Sequence, residues 1–276
     1  MLPSIHLFGF FELPLYGPVF IGAFLVTLFF GSRIAPKYGV AKEDIVYGSI
    51  YGALGLIVGA KAVFFLTKLP DIISHWDLFC KLIKHAPIEA ISYAFGGWVF
   101  YGGLIGTFLG ILRYSRHFKV PVTPFLDVFA PFIPLVHGFG RIGCFLAGCC
   151  YGIEYHGPFS VQFPFNEFMP ELHEVPRFPV QLLEAGLNFV MFGVLFTLLR
   201  KRKMLQGRML GVYLIYYVVA RYFLEMLRGD INRGKVGVFS TSQLISLLLV
   251  PVAIMLLTGK VLPKLDASLK KDENCT

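Results

Sequence analysis

One stretch organises the chain: His137-Gly-Phe-Gly-Arg-Ile-Gly-Cys-Phe-Leu-Ala-Gly-Cys-Cys-Tyr-Gly152. It closes an apolar segment, so it is expected at or near one face of a membrane. Its glycines let the backbone approach another backbone or a ligand closely. Its arginine, Arg141, is costly at membrane depth unless a partner or an anionic ligand neutralises it. The stretch therefore predicts a membrane-embedded site. The rest of the chain is expected to form the scaffold of this site and to provide its partner residues.

The composition is that of an integral membrane protein. Of 276 residues, 56% are hydrophobic, and 29 phenylalanines stand against 17 acidic residues, which excludes a soluble surface. The formal charge of +8 fits cytoplasmic loops and contacts with anionic lipid headgroups. Membrane lipid is therefore the expected partner, and nucleic acid is not.

Seven segments are long and apolar enough to cross a membrane. A helix needs about 20 apolar residues to cross a hydrocarbon core of about 30 Å. The segments lie at about 16–35, 46–67, 94–112, 125–146, 180–199, 209–227 and 241–258. Pro131 and Pro134 break the fourth. The pattern predicts an all-α integral membrane protein with about seven transmembrane helices.

Basic residues orient these segments. They cluster after the first, third, fifth and seventh segments, at 33–42, 113–119, 200–208 and 260–271. Cytoplasmic loops carry such an excess, so the N-terminus is predicted outside and the C-terminus in the cytoplasm. Glu12 interrupts the early apolar run and no basic region precedes it, so the first span is expected to act as an uncleaved targeting signal.

A single polytopic membrane domain is expected over residues 1–263. Its outer-face loops are placed at about 68–93, 149–179 and 228–240, where acidic residues are more frequent. The polar residues 264–276 are expected to form a cytoplasmic tail without regular structure.

Charged residues inside the apolar segments admit two interpretations. Arg221 and Glu225 are four residues apart and share one helix face. They are either a structural ion pair, since intramembrane charges pair by default, or part of an anion site. The anion-site interpretation includes Arg141. Two arginines with one acid leave a net positive charge, and the planar fork of donors on an arginine fits a phosphate. Lys61 is a further cation within an apolar segment.

The third segment carries glycines on one face. For Gly102, Gly103 and Gly106, close helix packing is the favoured interpretation. Tyr101 precedes them, and its hydroxyl must find a partner if it is buried. This tyrosine is a candidate ligand contact or proton-transfer group.

The five cysteines do not form a disulfide framework. Cys80 and Cys275 are isolated, whereas Cys144, Cys149 and Cys150 cluster. The cluster admits apolar packing, oxidation at an outer surface, or a metal or nucleophile site. No CxxC pair or tight histidine spacing is present, so packing or a disulfide is favoured, and neither a metal nor a cofactor is expected.

Four further polar residues lie in or beside the spans: Asp127, His137, Gln181 and Glu184. A lone histidine in a helix is more often hydrogen-bonded structure than a base. Gln181 and Glu184 begin the fifth span, where they are expected either to cap the helix or to orient the loop above the site.

Seven short blocks, in order along the chain, carry a resemblance to a known family. They are Tyr16-Gly17, Tyr101-Gly-Gly-Leu-Ile-Gly106, Leu126-Asp127, Gly140-Arg-Ile-Gly-Cys-Phe145 with Gly148 to Gly152, Arg177-Phe-Pro-Val-Gln-Leu-Leu-Glu-Ala185, the set Tyr217, Arg221, Glu225 and Arg228, and Ser240 to Gln243. On these blocks, and over most of its length, the chain resembles the prolipoprotein diacylglyceryl transferases.

The resemblance implies a reaction. The family moves a diacylglyceryl group from phosphatidylglycerol to the thiol of a lipobox cysteine in a secreted preprotein. A thioether forms and glycerol 1-phosphate leaves. By this resemblance the chain would be a multi-pass enzyme of the bacterial cytoplasmic (inner) membrane, facing outward, without a cofactor. Its partners would be phosphatidylglycerol, the preprotein and membrane lipid.

The resemblance also implies site residues. Arg141 and Arg221 would hold the phosphate and stabilise the leaving group, and Tyr101 would join them as a catalytic residue. Substrate-binding positions would be Tyr16, Gly102, Gly103, Gly143, Gly152, Tyr217, Glu225 and Arg228, with Glu225 orienting Arg221.

The chain departs from the family pattern at four polar positions. Tyr101 stands for a histidine, Cys144 and Ala147 for asparagines, and Cys149 for a glutamate. The base for the substrate thiol is then either Tyr101, ionised beside Arg141, or the phosphate of the bound lipid. Alternatives are a divergent relative with another acceptor, an acyl or redox role for Cys149 or Cys150, and a non-enzymatic lipid- or anion-binding transporter.

Overall fold

The computed structural model describes residues 4–7, 11–14, 16–164, 171–202, 205–229, 235–236 and 239–273. Most of these residues are helical. The helices are α1 Tyr16–Ile34, α2 Lys42–Ser74, α3 Trp76–His85, α4 Pro87–Phe95, α5 Phe100–Phe118, α6 Val122–Phe129, α7 Phe132–Ala147, α8 Glu171–Glu174, α9 Val180–Arg200, α10 Arg208–Met226, α11 Thr241–Leu257 and α12 Val261–Glu273, with a 3₁₀ turn at Ala35–Tyr38. Two short antiparallel hairpins pair β1 Ser4–Leu7 with β2 Phe11–Pro14, and β3 Lys235–Val236 with β4 Phe239–Ser240.

The helices confirm an all-α integral membrane protein. Within the described residues, 4 helices are long and apolar enough to cross a membrane: Gly17–Tyr38, Lys42–Ser74, Val180–Arg200 and Arg208–Met226. Three further pairs qualify as broken spans, namely α4 with α5, α6 with α7, and α11 with α12, which bend by 82°, 42° and 71°. Counting each pair once gives up to 7 spans, and each of the predicted segments falls on one of them. The orientation of the termini stays a prediction.

The third predicted span begins later than expected. The sequence places its start at about residue 94, but α4 ends at Phe95 and α5 begins at Phe100. The ammonium of Lys61, on α2, donates to the carbonyl oxygens of Phe95 at 2.7 Å and Gly97 at 3.2 Å, and lies 4.4 Å from the Trp98 ring centroid. A charged donor thus satisfies carbonyls that a helix end leaves without an intrahelical partner. Lys61 therefore stabilises the break.

The outer-face segment predicted at 68–93 consists of the end of α2 followed by α3 and α4, and its placement on the outer face stays a prediction. A second segment, expected to have no regular structure, is also helical. The tail predicted from residue 264 is part of α12, which continues to Glu273. Leu262 of this helix is buried, and the carboxylate of Asp266 accepts a hydrogen bond from the backbone N–H of Thr123 at 3.1 Å. These contacts hold in place a segment whose polar composition predicted no regular secondary structure.

The chain divides into two compact units, residues 1–39 with 123–268 and residues 40–122 with 269–276. The prediction of one membrane domain over 1–263 stays a prediction. In the second unit, α2 packs directly against α5 through glycines of both helices. A methyl group at Gly106 would overlap the carbonyl oxygen of Gly55, and one at Gly102 would lie 2.5 Å from that of Gly59. The packing interpretation of the third-segment glycines is confirmed.

The glycine contact between α2 and α5 makes a direct prediction. Gly106→Ala is expected to destabilise the protein by about 1–3 kcal/mol, because the added methyl group forces two backbones apart. Gly22→Ala is the matched control, since in the described part of the chain no atom lies within 4 Å of the position that its methyl group would take. The measurement is the unfolding temperature of each purified variant in detergent. Equal unfolding temperatures for the two variants would contradict the packing.

In the first unit, α7 packs against α1 and α9, while α10 packs against α9 and α11. Asp127 fixes the start of α10. Its two carboxylate oxygens accept the backbone N–H groups of Gln206 at 2.7 Å and Gly207 at 2.8 Å, immediately before the helix begins. A buried carboxylate at a helix N-terminus satisfies orphan donors and complements the helix dipole. This contact sets the position of the helix that carries Arg221.

Candidate active site

Glu184 is the acid that neutralises Arg141. It lies in the second turn of α9, and its side chain is 4% exposed. Its Oε1 is 3.0 Å from Nη2 of Arg141 and 3.3 Å from Nε2 of His137. His137 and Arg141 are four residues apart on α7, so they present the same face to α9. The pairing of Glu184 with Arg141 is not predicted from the sequence, where helix capping or loop orientation is expected for this residue.

His137 is held at both ring nitrogens. Its Nε2 lies 3.3 Å from the Glu184 carboxylate and 3.4 Å from Nε of Arg141. A ring nitrogen either donates or accepts, so only one of these two contacts is a hydrogen bond in a given tautomer. Its Nδ1 lies 3.3 Å from the hydroxyl of Tyr213. His137 is therefore hydrogen-bonded, as expected for a lone histidine in a helix.

Arg221 contacts an acid on its own helix and a hydroxyl group on α11. Its Nη2 lies 2.7 Å from Oε2 of Glu225 and donates to the hydroxyl of Ser242 on α11 at 3.0 Å. Both partners of the ion pair are buried, at 6% and 7% side-chain exposure. The shared helix face predicted for Arg221 and Glu225 is confirmed. Among the described residues, Nη1 of Arg221 has no hydrogen-bond partner, although it is buried. One side of the guanidinium is thus still able to bind an acceptor.

Among the described residues, the site carries excess positive charge. Arg221 interacts electrostatically with Arg141 and Arg228 and with Glu184 and Glu225, so three arginines face two glutamates. Tyr217 lies beside His137, and the centroids of the two rings are 6.1 Å apart. The first unit thus brings together five of the predicted residues: Arg141, Tyr217, Arg221, Glu225 and Arg228.

A layer of extended chain positions Gly152 and Arg228. Gly152 pairs with Arg228 in an antiparallel bridge, Ile153 donates to the Leu227 carbonyl at 3.0 Å, and Phe178 donates to the Ile153 carbonyl at 3.0 Å. A side chain at Gly152 would overlap the carbonyl oxygen of Phe178. The close approach of three backbone segments therefore requires glycine here, whatever ligand role it also has.

The three clustered cysteines follow the end of α7. Cys144, Cys149 and Cys150 are free thiols, and their sulfur atoms all lie within 4.8 Å of one another. Hydrogen bonds from the Cys144 and Cys149 thiols, together with the charges of Arg228 and Arg141, lower the pKa of Cys150. Gln181 donates from Nε2 to the Cys149 carbonyl at 2.9 Å, which ties the loop to the start of α9.

Tyr101, Gly102 and Gly103 belong to the second unit, where the Tyr101 ring packs edge-on against Phe100 at 5.6 Å between centroids. Gly143 is buried within α7. The side chain of Tyr16 lies outside the described residues.

Known proteins resemble this chain over most of its length. The family described as Prolipoprotein diacylglyceryl transferase matches residues 3–258. A protein of Clostridium tetani named phosphatidylglycerol--prolipoprotein diacylglyceryl transferase is 32% identical, covering 90% of this chain and 94% of its own length. One of Clostridium perfringens with the same name, numbered 2, is 33% identical and covers 86% of each chain. One of Idiomarina loihiensis is 29% identical over 91% of this chain and 90% of its own length. The chain belongs to the prolipoprotein diacylglyceryl transferase family.

Proposed function

We propose that this protein transfers the diacylglyceryl group of phosphatidylglycerol to the cysteine thiol of a prolipoprotein. The cysteine sulfur forms a bond to the glyceryl carbon, the bond from that carbon to the phosphate oxygen breaks, and glycerol 1-phosphate leaves. Family membership and the names of the relatives support this reaction. The observation that carries it is the buried Nη1 of Arg221, which has no partner among the described residues, at a site with excess positive charge.

The charges at the site suit the leaving group. Phosphate gains negative charge as the bond to carbon breaks, and donors aimed at developing charge lower the barrier. Arg141 and Arg221 bind the phosphate oxygens in this proposal, since arginine forks bind phosphate through two parallel hydrogen bonds. Glu184 and Glu225 hold these two arginines in place through contacts of 3.0 Å and 2.7 Å.

Other residues complete the proposed site. Tyr217 and Arg228 flank the arginines in the first unit. As the family resemblance implies, Tyr101 in its ionised form takes the proton of the substrate thiol. The remaining substrate-binding assignments are Tyr16, Gly102, Gly103, Gly143 and Gly152, as the family resemblance implies.

The proposed setting is the outer face of a bacterial cytoplasmic membrane. The chain is a multi-pass membrane protein, and the distribution of basic residues in its loops supports an N-terminus on the outer side. The acceptor is the lipobox cysteine of a secreted preprotein, which reaches that face after export.

Reconstitution tests the reaction. Purified protein in liposomes of phosphatidylglycerol is expected to modify a lipobox peptide, so that mass spectrometry finds a diacylglyceryl thioether and glycerol phosphate appears. Liposomes of phosphatidylcholine alone and a peptide with serine for the lipobox cysteine are the controls. Absence of the thioether from a folded, reconstituted protein would rule out the proposal.

The same assay separates the two candidate bases. Tyr101→Phe is expected to slow transfer by roughly 10²–10⁴-fold if the phenol takes the thiol proton, the range of general-base catalysis. Tyr93→Phe, on α4 of the same unit, is the matched control. An unchanged rate in Tyr101→Phe assigns the proton to the lipid phosphate instead.

A further inference from the structure

The three cysteines after α7 are brought together by the backbone. Gly148 has a φ of 72°, the Cys149 N–H donates to the Cys144 carbonyl at 3.0 Å, and the Gly148 N–H donates to the Phe145 carbonyl at 3.2 Å. These are the two hydrogen bonds of a Schellman motif, in which the residue after the glycine folds back over the last turn of the helix. Cys149 therefore lies over Cys144 whatever the state of its thiol.

The third thiol is directed to the same place by an unusual backbone conformation. Cys150 has a φ of 59°, in the left-handed region that non-glycine residues seldom occupy. With it, all three sulfur atoms lie within 4.8 Å of one another. Thiolates bound to one zinc ion at about 2.3 Å lie about 3.8–4.0 Å apart, as the geometry of a tetrahedral or trigonal site requires. The three sulfur atoms are thus close to the spacing of a metal site before any ion binds.

Two arginines act electrostatically on the cysteine cluster. Arg228 and Arg141 act electrostatically on Cys150. Three thiolates around a divalent ion carry a net negative charge, which these arginines balance. The same arginines repel a hydrated cation that binds without displacing protons. Sulfur ligands also select zinc, cadmium or copper(I) over magnesium and calcium.

We propose that Cys144, Cys149 and Cys150 form a binding site for one thiophilic metal ion, of the zinc and cadmium class. Each ligating thiol loses its proton to solvent when the ion binds. Among the described histidines, cysteines and acids, no fourth ligand joins the group. The site does not depend on the proposed lipid transfer.

A metal site is not expected from the sequence because the cysteines stand at positions i, i+5 and i+6. Zinc sites are usually recognised from pairs of cysteines two to four residues apart. Here the end of α7 brings the three cysteines together, and Gly148 is the local sequence feature that indicates this turn.

Metal titration of the full-length protein tests the proposal. Reduced, metal-free protein in detergent is titrated with Co²⁺, which makes a thiolate-to-metal absorption band visible. We expect the band to saturate at about one equivalent, as for a single site with three thiolate ligands, and zinc to abolish it. Cys149→Ser is expected to lose the band. The double variant Cys80→Ser/Cys275→Ser is the matched control and is expected to keep it, since Cys80 lies on α3 and Cys275 lies outside the described residues.

A second measurement does not rely on substitution. Cd²⁺ is expected to raise the unfolding temperature of the unmutated, reduced protein, and Mg²⁺ at the same concentration is not. The proposal is overturned if the unmutated protein shows no thiolate band, or if Cys149→Ser keeps it. A disulfide among the three cysteines in protein isolated without reductant, with no bound metal by elemental analysis, also overturns it.

Discussion

Arg221→Ala is expected to reduce diacylglyceryl transfer by roughly 10²–10³-fold, the effect of removing one donor that stabilises developing negative charge. One end of this guanidinium is fixed by Glu225 at 2.7 Å and Ser242 at 3.0 Å. The other end presents Nη1, which has no partner within the described residues. A group held in this way contributes a preorganised donor, so its loss is expected to lower kcat more than it raises KM.

Two variants make the result specific. Arg221→Lys keeps the charge but loses the planar fork, and it is expected to recover little of the rate because an ammonium does not span the acid, the hydroxyl and a phosphate. Arg200→Ala removes an exposed arginine at the end of α9 and is expected to leave transfer unchanged. The assay is thioether formation in phosphatidylglycerol liposomes. Near-normal transfer by a folded Arg221→Ala protein would show that the phosphate is bound elsewhere.

Glu184→Ala is expected to destabilise the protein by about 3–5 kcal/mol, because breaking a buried ion pair leaves the other charge without compensation. It removes the acceptor of both Arg141, at 3.0 Å, and His137, at 3.3 Å. Transfer is expected to fall as well, since Arg141 is no longer held on α7 in one orientation. Unfolding in detergent and the liposome assay measure the two effects.

Two further substitutions separate stability from catalysis. Glu154→Ala is the control, because its side chain is 58% exposed and its partner is the exposed His156. The double variant Arg141→Leu/Glu184→Leu removes both charges and is expected to recover much of the stability but none of the transfer. If Glu184→Ala unfolds at the same temperature as Glu154→Ala, the ion pair with Arg141 contributes nothing.

The membrane spans were predictable because apolar length is a local property of sequence. Each predicted segment falls on a helix or a bent pair, and the Arg221–Glu225 pair follows from helical spacing alone. The break at 96–99 within the third span was not predicted, because it is stabilised by Lys61, which comes from another helix. A sequence window around the break does not contain that residue.

The partner of Arg141 was missed for a similar reason. Glu184 lies 43 positions along the chain from Arg141, and only the packing of α7 on α9 brings the two together. An acid inside an apolar span was the available signal, since such a group needs a partner. The convergence of the cysteines has a local signal in the sequence, unlike the partner of Arg141. A glycine after a helix indicates that the chain folds back over the last turn of that helix.

The bend between α4 and α5 has a consequence for the membrane itself. With α5 crossing the bilayer, an 82° bend directs α4 nearly along the membrane plane. Ile88 and Ile91 are 80% and 64% exposed on it, and Trp76 of α3 is 58% exposed. A helix that lies in this plane with apolar side chains exposed is suited to insert them at the boundary between headgroups and acyl chains of one leaflet. Such a helix takes up area in that leaflet and not in the other.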